Sequence, residues 1–347
     1  MKVFDDFFSF LLLMISLSAC GAFFAGCGAA GDVQLFFAEG LHPPRLEHIA
    51  IVSANRIELQ CDCMLDSADV FLDPPIEIAS QGINDTSAWF ELSENSQPGT
   101  EYIASILLKS DKGHSSHLLQ RLYGFNGNPA SLIFNEIIVR GSGNNPDCIE
   151  LLVKESGNLG GLAWYLGTSE VFDTYYLFPA VDVVAGDYIT LHVRNEGLET
   201  EVNELNEDLS ASGGLLCSSN SRDLWLPEST GLPSNNGVMT LYQQAGSPPM
   251  DAFLYSDRFS DSDTTYSGFG TAGMLAWILD AEAQEAWVFT EDHIRPEDCV
   301  SPEGSTGTRS INRSVPPVES RTRDDWHIVP TSGATIGAEN SMDVYEP

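Results

Sequence analysis

Aspartates near residue 257 have the side chains that a hard metal ion needs. Asp257, Asp261 and Asp263 lie in the run DRFSDSD, a short distance after Asp251. Calcium binds carboxylate and carbonyl oxygens, so Asp257, Asp261 and Asp263 are candidate calcium ligands. The run lacks the glycine and the terminal glutamate of an EF-hand loop, and a chain with 50 acidic residues also places many carboxylates in solvent. From the sequence alone, a calcium site and a solvated acidic surface both remain open.

Sequence signals of catalysis are absent. The chain has no Gly-x-Ser-x-Gly nucleophile motif, no phosphate-binding Gly-x-x-x-x-Gly-Lys and no His-Glu-x-x-His zinc motif. His114 and His117 lie beside a turn at 111–113, and their rings need not converge on a metal. We therefore expect a protein that is not an enzyme. The alternative is a metal-dependent hydrolase, or an accessory protein of one, that uses its acidic loops.

The seven cysteines leave the disulfide pattern open. If Cys20 carries a modification, the later cysteines form an even set that could pair completely, whereas modification of Cys27 would leave an odd set. Cys61 and Cys63 are expected on one face of a strand, too far apart to pair easily with each other. They have no second ligand pair at zinc spacing.

The charge balance excludes some classes of partner. With 16 Lys and Arg against 50 Asp and Glu, the net charge is −34. Such a chain repels the phosphates of nucleic acids and the headgroups of anionic lipids. We expect no direct nucleic-acid partner, and any membrane attachment must use a hydrophobic or covalent anchor.

An apolar segment near the N-terminus can supply that anchor. Residues 7–19 (FFSFLLLMISLSA) have the length of a signal-peptide core and are too short to span a bilayer. The sequence LSAC that ends at Cys20 resembles the bacterial lipoprotein box, whose cysteine takes a diacylglycerol, with palmitate a typical acyl chain. The resemblance implies a signal peptide at 1–19, a lipidated N-terminus and tether at 20–44, and a place in the bacterial cell envelope, at the outer membrane, the cell surface or the periplasmic face. Cys27, in the sequence FAGC, is the alternative lipid site.

The elements that must position these residues are short strands. From 45 to 128, apolar stretches alternate with turn signals at regular spacing. The stretches are HIAIVS, RIELQC, ADVFL, AWFEL, EYIASILLKS and HLLQRLYGFN. This spacing predicts a β-sandwich, and the run Pro98–Tyr102 resembles the corner region of fibronectin-type and other Ig-like modules.

A second sandwich is predicted after the turn at 126–129, over residues 131–340. Its strand candidates are SLIFNEIIV, CIELLVK, LAWYLG, YYLF, DYITLHV, GVMTLYQ and MDAFLYS. Residues 272–289 have helical periodicity, and the acidic stretch 195–214 predicts a mobile loop. The predicted fold class is all-β, with two Ig-like sandwiches in tandem, the second carrying a surface helix and long loops.

Several motifs in the second region follow one family pattern. They are LIFNEI at 132–137, IEL at 149–151, the segment 162–166 with Trp164, FP at 178–179, GDY at 186–188, MDA at 250–252, SINR at 310–313, DW at 325–326 and the closing segment 330–340. In these motifs the chain resembles the lamin tail domain of bacterial surface or secreted proteins. The resemblance implies an Ig-like sandwich without catalytic residues. Together with the anchor, it implies a binding, adhesion or scaffold protein with an unidentified protein or envelope partner.

Four polar or aromatic residues of these motifs have a structural interpretation of their own. Glu136 and Glu150 lie among apolar strand residues, so each is expected to accept hydrogen bonds at a sheet edge or loop. Arg313 and Trp326 are expected to close the sandwich, with the indole buried and the guanidinium paired with an acid such as Asp325.

Overall fold

The computed structural model describes residues 42–228, 231–244, 246–289 and 294–347. Strands dominate this part of the chain, which confirms the predicted all-β class. Cys20 and Cys27 lie outside the described residues, so the lipid site stays a prediction. No helix among the described residues has both the length and the apolar character that a membrane span requires.

Seven strands form the first sandwich. They are β1 (Leu46–Ser53), β2 (Arg56–Cys61), β3 (Leu65–Asp73), β4 (Ile78–Asn84), β5 (Ser87–Leu92), β6 (Glu101–Ser110) and β7 (Ser115–Tyr123). The order β1-β2-β5-β4 makes one sheet, and β3-β6-β7 makes the other. Alternate side chains point inward along each strand, as in β6, where Tyr102, Ala104, Ile106 and Leu108 are buried. These residues join one hydrophobic core between the two sheets.

The later strands form a second, larger unit. They are β8 (Ser131–Ile138), β9 (Cys148–Glu155), β10 (Gly157–Asn158), β11 (Ala163–Gly167), β12 (Phe172–Leu177), β13 (Asp182–Val183), β14 (Tyr188–His192), β15 (Ser221–Trp225), β16 (Asn236–Tyr242), β17 (Pro249–Ser256), β18 (Ile311–Arg313) and β19 (Trp326–Ile328). The six-stranded sheet has the order β15-β14-β9-β8-β18-β19, and the four-stranded sheet has the order β12-β11-β16-β17. Strands β14 and β15 pair in parallel. A core of its own, with Phe134, Trp164 and Phe253 fully buried, lies within this unit.

A surface helix, α1 (Ala272–Ala283), packs on the second sandwich. The Thr271 side chain caps its start by accepting a hydrogen bond from the Met274 amide at 3.1 Å. Ile278 and Ala281 are its buried residues. The helix is shorter than the predicted 272–289 because the chain turns after Gln284, where Glu285 adopts a left-handed conformation with φ 55°. Asp280 accepts a hydrogen bond from Thr168 on the sandwich and so holds the helix in place.

The acidic stretch 195–214 has no helix or strand, and several hydrogen bonds attach it to itself and to the second sandwich. The Glu201 carboxylate accepts hydrogen bonds from the amides of 196–198, which fixes the start of the stretch. Further along, the Arg222 guanidinium donates to the carbonyls of Glu204 and Asn206, both at 2.6 Å. Most acids of the stretch are exposed, as their charge predicts, whereas Glu204 is buried. The mobility of the stretch stays a prediction.

The disulfides that an even cysteine count would allow do not form among the described residues. Cys61, Cys63, Cys148, Cys217 and Cys299 are all free. Cys61 lies in the core of the first sandwich and Cys299 in that of the second, and none of the five forms a disulfide with another described cysteine. Burial raises the pKa of the Cys61 and Cys217 thiols to about 11, which keeps both protonated at neutral pH.

Candidate functional site

The predicted calcium ligands do not converge in the structure. The Asp257 carboxylate pairs with the Arg140 guanidinium at 2.6 Å. Asp263 accepts hydrogen bonds from the amides of Tyr266 and Gly270 at 2.5 and 2.8 Å, and Asp261 is exposed in the 3₁₀ turn Ser260–Ser262. Within the described part of the chain, these three residues do not form a group whose ligand atoms all lie within 4.8 Å. Asp257 thus serves a long-range ion pair, and Asp263 serves a local turn.

A cleft of about 470 Å³ lies between the two sandwiches. Strands β1 and β7 of the first sandwich line one side, and the β11–β12 hairpin and the turn after β16 line the other. The lining residues are His48, Ile49, Ala50, Ile51, Gln120, Arg121, Leu122, Tyr123, Tyr165, Ser169, Glu170, Phe172, Tyr175, Gln244 and Gly246. Aromatic rings with a few polar groups at the rim are the composition of a small-ligand site. We call this feature the junction cleft.

Aromatic residues of the β11–β12 hairpin make one wall of the junction cleft. The Tyr165 ring lies 5.1 Å from the Phe172 ring and 5.7 Å from the Tyr175 ring, measured between centroids. Tyr165 faces Tyr175 in the strand register, and Tyr242 on β16 packs edge-on against Tyr165 at 5.5 Å. Tyr165 is buried, whereas Phe172 is 40% exposed. The β11–β12 pairing therefore builds an aromatic surface on which the Phe172 ring is open to solvent.

A polar network crosses the junction and fixes Tyr175. Its hydroxyl donates to the Glu101 carboxylate at 3.3 Å and accepts from the Arg121 guanidinium at 3.4 Å. Arg121 also pairs with Glu101 at 3.4 Å, so three residues from β6, β7 and β12 form a closed triangle. The Glu101 charge raises the pKa of Arg121, and burial followed by Glu101 raises the pKa of Tyr175. Arg121 thus stays charged and Tyr175 stays neutral at physiological pH.

Close backbone contacts hold the two sandwiches together beside the cleft. The Asn126 side chain donates to the carbonyls of Asn158 and Gly160 at 2.9 and 2.8 Å. Gly99 has a left-handed conformation with φ +74°, and a Cβ there would come within 3.0 Å of the Phe178 carbonyl oxygen. Glycine suits both constraints at this position. The cleft walls are therefore held in a defined relation by contacts outside the cleft.

Sequence reasoning missed the junction cleft. Its residues come from strands far apart in the chain, and the sequence around each of them is that of an ordinary strand. The signal that could have found it is the set of tyrosines on both sides of the turn at 126–129, namely Tyr123, Tyr165 and Tyr175. Only the packing of one sandwich on the other brings them together.

A second polar feature covers the outer face of the six-stranded sheet. One face of β14, β9 and β8 enters the core through Ile189, Leu191, Ile149, Leu151, Leu132 and Phe134. The opposite face carries Glu136, Glu150, Thr190, His192 and Asp223, each without measurable exposure. We call these five residues the polar face. They are buried because two segments, 196–220 and 330–340, lie across them.

Glu136 and Glu150 face each other across β8 and β9 on the polar face. Glu136 accepts from the amide and hydroxyl of Thr335, and Glu150 accepts from the Gly337 amide and, at 2.7 Å, from the Asn135 side chain. Burial raises the pKa of both carboxyls, and for Glu150 the value reaches about 8. The expectation that both accept hydrogen bonds from a loop agrees with these contacts, which tie segment 330–340 to the sheet.

Arg313 lies on β18, near the edge of the six-stranded sheet opposite to β15. Its guanidinium pairs with the Asp251 carboxylate at 2.5 Å and lies 3.8 Å from the predicted partner, Asp325. The guanidinium carbon is 4.5 Å from the centre of the Trp326 ring, and Trp326 is buried. The structure thus gives Arg313 a closer acid than the one the sequence suggested. Asp251 on β17 accepts from the Phe134 amide on β8, and the Phe134 carbonyl accepts from the same guanidinium.

One group on the polar face has metal-ligand chemistry. Ligand atoms of His192, Cys217 and Asp223 lie within 4.8 Å of one another, and among the described residues this is the group of three or more that meets that criterion. His192 and Asp223 are buried, and Cys217 is half-buried. Imidazole nitrogen, thiolate sulfur and carboxylate oxygen together are a ligand set typical of zinc.

Comparisons with known proteins bear on the second sandwich. A family model described as "protein second domain" (TP_1001_2nd) matches residues 130–328. An uncharacterized protein of Treponema pallidum (strain Nichols) is 27% identical over 192 residues, which are 53% of this chain and 47% of that protein. The chain thus spans about half the length of that curated relative.

Solved structures give only distant likenesses. The N-terminal part of the bacterial S-layer protein SbsC has 14% identity and a TM-score of 0.24, over 47% of this chain and 43% of its own. The LD transpeptidase LdtMt1 in complex with imipenem has 8% identity and a TM-score of 0.18, over 43% of this chain and 81% of its own. Likeness at this level carries no statement about function.

Proposed function

The chain belongs to the TP_1001_2nd family over residues 130–328, and from that premise we propose that it is a lipid-anchored bacterial envelope protein that acts as a non-catalytic binding module. In this proposal Cys20 carries the lipid, and the junction cleft holds the ligand. The second sandwich serves as a lamin-tail-like scaffold, as its motifs suggest. The observation that carries the proposal is the junction cleft itself, with its aromatic wall and polar rim.

The chemistry of the cleft favours a glycan as ligand. The open ring of Phe172, backed by Tyr165, offers a flat apolar surface on which the C–H face of a sugar can pack. Gln120, Gln244 and Glu170 are exposed at the rim and can exchange hydrogen bonds with hydroxyl or amide groups. The net charge of −34 disfavours polyanions. An uncharged cell-wall glycan strand fits these requirements and the expected location.

The state of the buried acids supports a binding role over a hydrolytic one. Glu136 and Glu150 accept hydrogen bonds from the chain's own backbone, and Asp251 pairs with Arg313. None of these three carboxylates lines the junction cleft. A hydrolase would need acids poised at the cleft to exchange protons with the ligand, and the cleft carries a single carboxylate, Glu170, among its described lining residues.

Co-sedimentation with purified cell-wall sacculi tests the binding proposal. We expect the protein to pellet with the sacculi, and Phe172→Ala to reduce the bound fraction severalfold because the open ring is lost. Phe71→Ala is the matched control, since Phe71 is 60% exposed on β3 and lies away from the cleft. Equal binding by the two variants, or no binding by the unaltered protein, would contradict the proposal.

Metabolic labelling with a fatty-acid precursor tests the anchor. The proposal predicts that labelling is lost in Cys20→Ala and retained in Cys27→Ala. Label that persists in Cys20→Ala and disappears in Cys27→Ala would move the anchor to Cys27, and label absent from the unaltered protein would remove the anchor from the account.

A further inference from the structure

His192, Cys217 and Asp223 come from three places in the chain. His192 ends β14, Asp223 lies in the middle of β15, and Cys217 lies in the segment that leads into β15. Because β14 and β15 are parallel neighbours, His192 and Asp223 point to the same face, and the imidazole Nε2 lies 2.8 Å from the Asp223 Oδ1. The sheet therefore fixes two of the three groups before the loop adds the third.

The loop presents the Cys217 sulfur through its own hydrogen bonds. Its Sγ accepts from the Gly214 amide at 3.2 Å and lies 3.3 Å from the Ser212 hydroxyl. The next amide, of Ser218, donates to the second oxygen of Asp223 at 3.2 Å. The backbone on both sides of Cys217 is thus tied to the cluster, which holds the sulfur toward the carboxylate.

Neighbouring residues restrain the two groups of the sheet. The Trp225 indole stacks on the His192 ring with centroids 3.9 Å apart and planes 11° apart. The Glu204 carboxylate accepts from the amides of Asp223 and Ser212, which joins the loop to β15. Such supporting contacts orient the ligands in known metal sites, and their loss commonly weakens metal binding about 10–100-fold.

One polar atom of the cluster is not used by the fold. The second imidazole nitrogen, Nδ1 of His192, is buried and makes no hydrogen bond among the described residues. A buried polar atom without a partner costs free energy, commonly about 1–3 kcal/mol. The fold therefore holds this imidazole through Nε2 alone, on the side that faces Asp223. Binding of an ion at Nε2 would break no second hydrogen bond of the ring.

We propose that His192, Cys217 and Asp223 bind a zinc ion, with a water as the fourth ligand. Tetrahedral zinc with nitrogen and oxygen ligands at about 2.0–2.1 Å separates those ligand atoms by roughly 3.3 Å. The His192–Asp223 contact must therefore open by about half an ångström, a change that side-chain rotation supplies. Cys217 is only half-buried, so its side of the cluster provides the route of entry.

The protein's charge assists this binding. A chain with net charge −34 concentrates cations at its surface, and Glu204 lies in direct contact with the ligand-bearing backbone. On binding, the Cys217 thiol loses its proton to solvent and the thiolate bonds to zinc. The bound ion would join segment 196–220 to the edge strand β15 and so close the polar face.

Titration of the purified full-length protein with zinc, and then with cobalt, tests the proposal. We expect saturation at one ion per chain and a rise in the melting temperature. Cobalt should give a thiolate-to-metal charge-transfer band. Cys217→Ser should abolish that band, and Asp223→Asn should weaken zinc binding by about tenfold or more. Cys63→Ser is the control, because Cys63 is also free and half-buried but lies in the first sandwich.

Circular dichroism identifies any variant that fails to fold. If Cys217→Ser does not fold, the isosteric Asp223→Asn takes its place in the test. The nitrogen shifts of His192 in a labelled sample give a readout independent of cysteine, since zinc fixes one tautomer. No saturable binding, or a cobalt band unchanged in folded Cys217→Ser, would overturn the proposal. Loss of zinc binding would leave the glycan proposal untouched, because the two sites share no residue.

Discussion

Glu150 shows how a single buried carboxyl couples this fold to pH. The sheet removes it from water, and the carboxylate of Glu136 lies opposite, so the pKa of Glu150 rises to about 8 from an ordinary 4.5. Hydrogen bonds from the Gly337 amide and the Asn135 side chain oppose the rise without cancelling it. Between these two pH values the folded chain binds a proton that the unfolded chain has lost.

Stability should therefore fall as the pH rises from about 4.5 to about 8. The sign follows because the folded state binds more protons than the unfolded state throughout this window, and the loss amounts to a few kcal/mol at most. Urea denaturation at a series of pH values measures it. Glu150→Gln should flatten the decline, whereas Glu94→Gln, at an exposed position, should leave it unchanged. Parallel curves for all three proteins would contradict the assignment.

The Arg313–Asp251 pair should matter far more than pairs at the surface. Both side chains are about 1% exposed, so Asp251→Asn removes the nearer of two buried counter-charges of the guanidinium, Asp325 being the other, and should cost about 3 kcal/mol of unfolding free energy. Asp66→Asn breaks the exposed pair with Lys109 and should cost about 0–1 kcal/mol. Chemical denaturation compares them. Similar costs for the two variants would show that Asp251 is not the residue that neutralises Arg313.

At the scale of elements, the segment 330–340 acts as a strap across the polar face. The Asn340 amide donates to the carbonyls of Asn135 and Arg313, both at 2.9 Å, and so joins the segment to β8 and β18. Gly337 has φ +78°, and a Cβ there would come within 2.3 Å of the Ser218 hydroxyl on the other covering segment. The two covering segments therefore meet at this glycine.

Loss of the Asn340 contacts should loosen this strap. Asn340→Ala leaves buried carbonyls without donors and should cost about 1–3 kcal/mol, with faster hydrogen exchange at Thr335 and Gly337. Asn95→Ala, at an exposed position of the first sandwich, is the matched control and should change neither quantity. Unchanged exchange at Thr335 in Asn340→Ala would show that the strap is held by other contacts.

The strands that sequence reasoning located either alternate in burial, as β6 does, or form an apolar run that is buried on both faces, as β16 does. It missed β4, an edge strand with a weak pattern interrupted by Gly82, and β15, whose sequence SRDLW looks like part of a polar loop. β15 is polar because its residues contribute to a buried polar face. Hydrophobic periodicity cannot reveal such a strand, since the second covering layer comes from distant parts of the chain.

At the scale of the molecule, the all-β class was predictable from spacing and turn residues, whereas the sites were not. The predicted calcium ligands share one short run of sequence but take separate structural partners. The residues of the junction cleft and of the His192 cluster are distant in sequence and converge through sheet order and packing. Local spacing therefore identified most of the strands, but it did not identify the residues that form the candidate sites.

The junction between the sandwiches is the central claim about function. The triangle of Glu101, Arg121 and Tyr175 ties the walls of the cleft, and the backbone contacts of Asn126 fix their relation. A ligand bound there should find the site largely formed, because few side chains need to reorganise. Binding should accordingly cause local protection with little change elsewhere.

Hydrogen–deuterium exchange of the protein with and without soluble cell-wall glycan fragments tests this claim most directly. The account predicts slower exchange in β1, β7, β11 and β12, the strands that line the cleft, and no such slowing in Phe172→Ala. Protection confined to other strands, or protection that persists in Phe172→Ala, would contradict it.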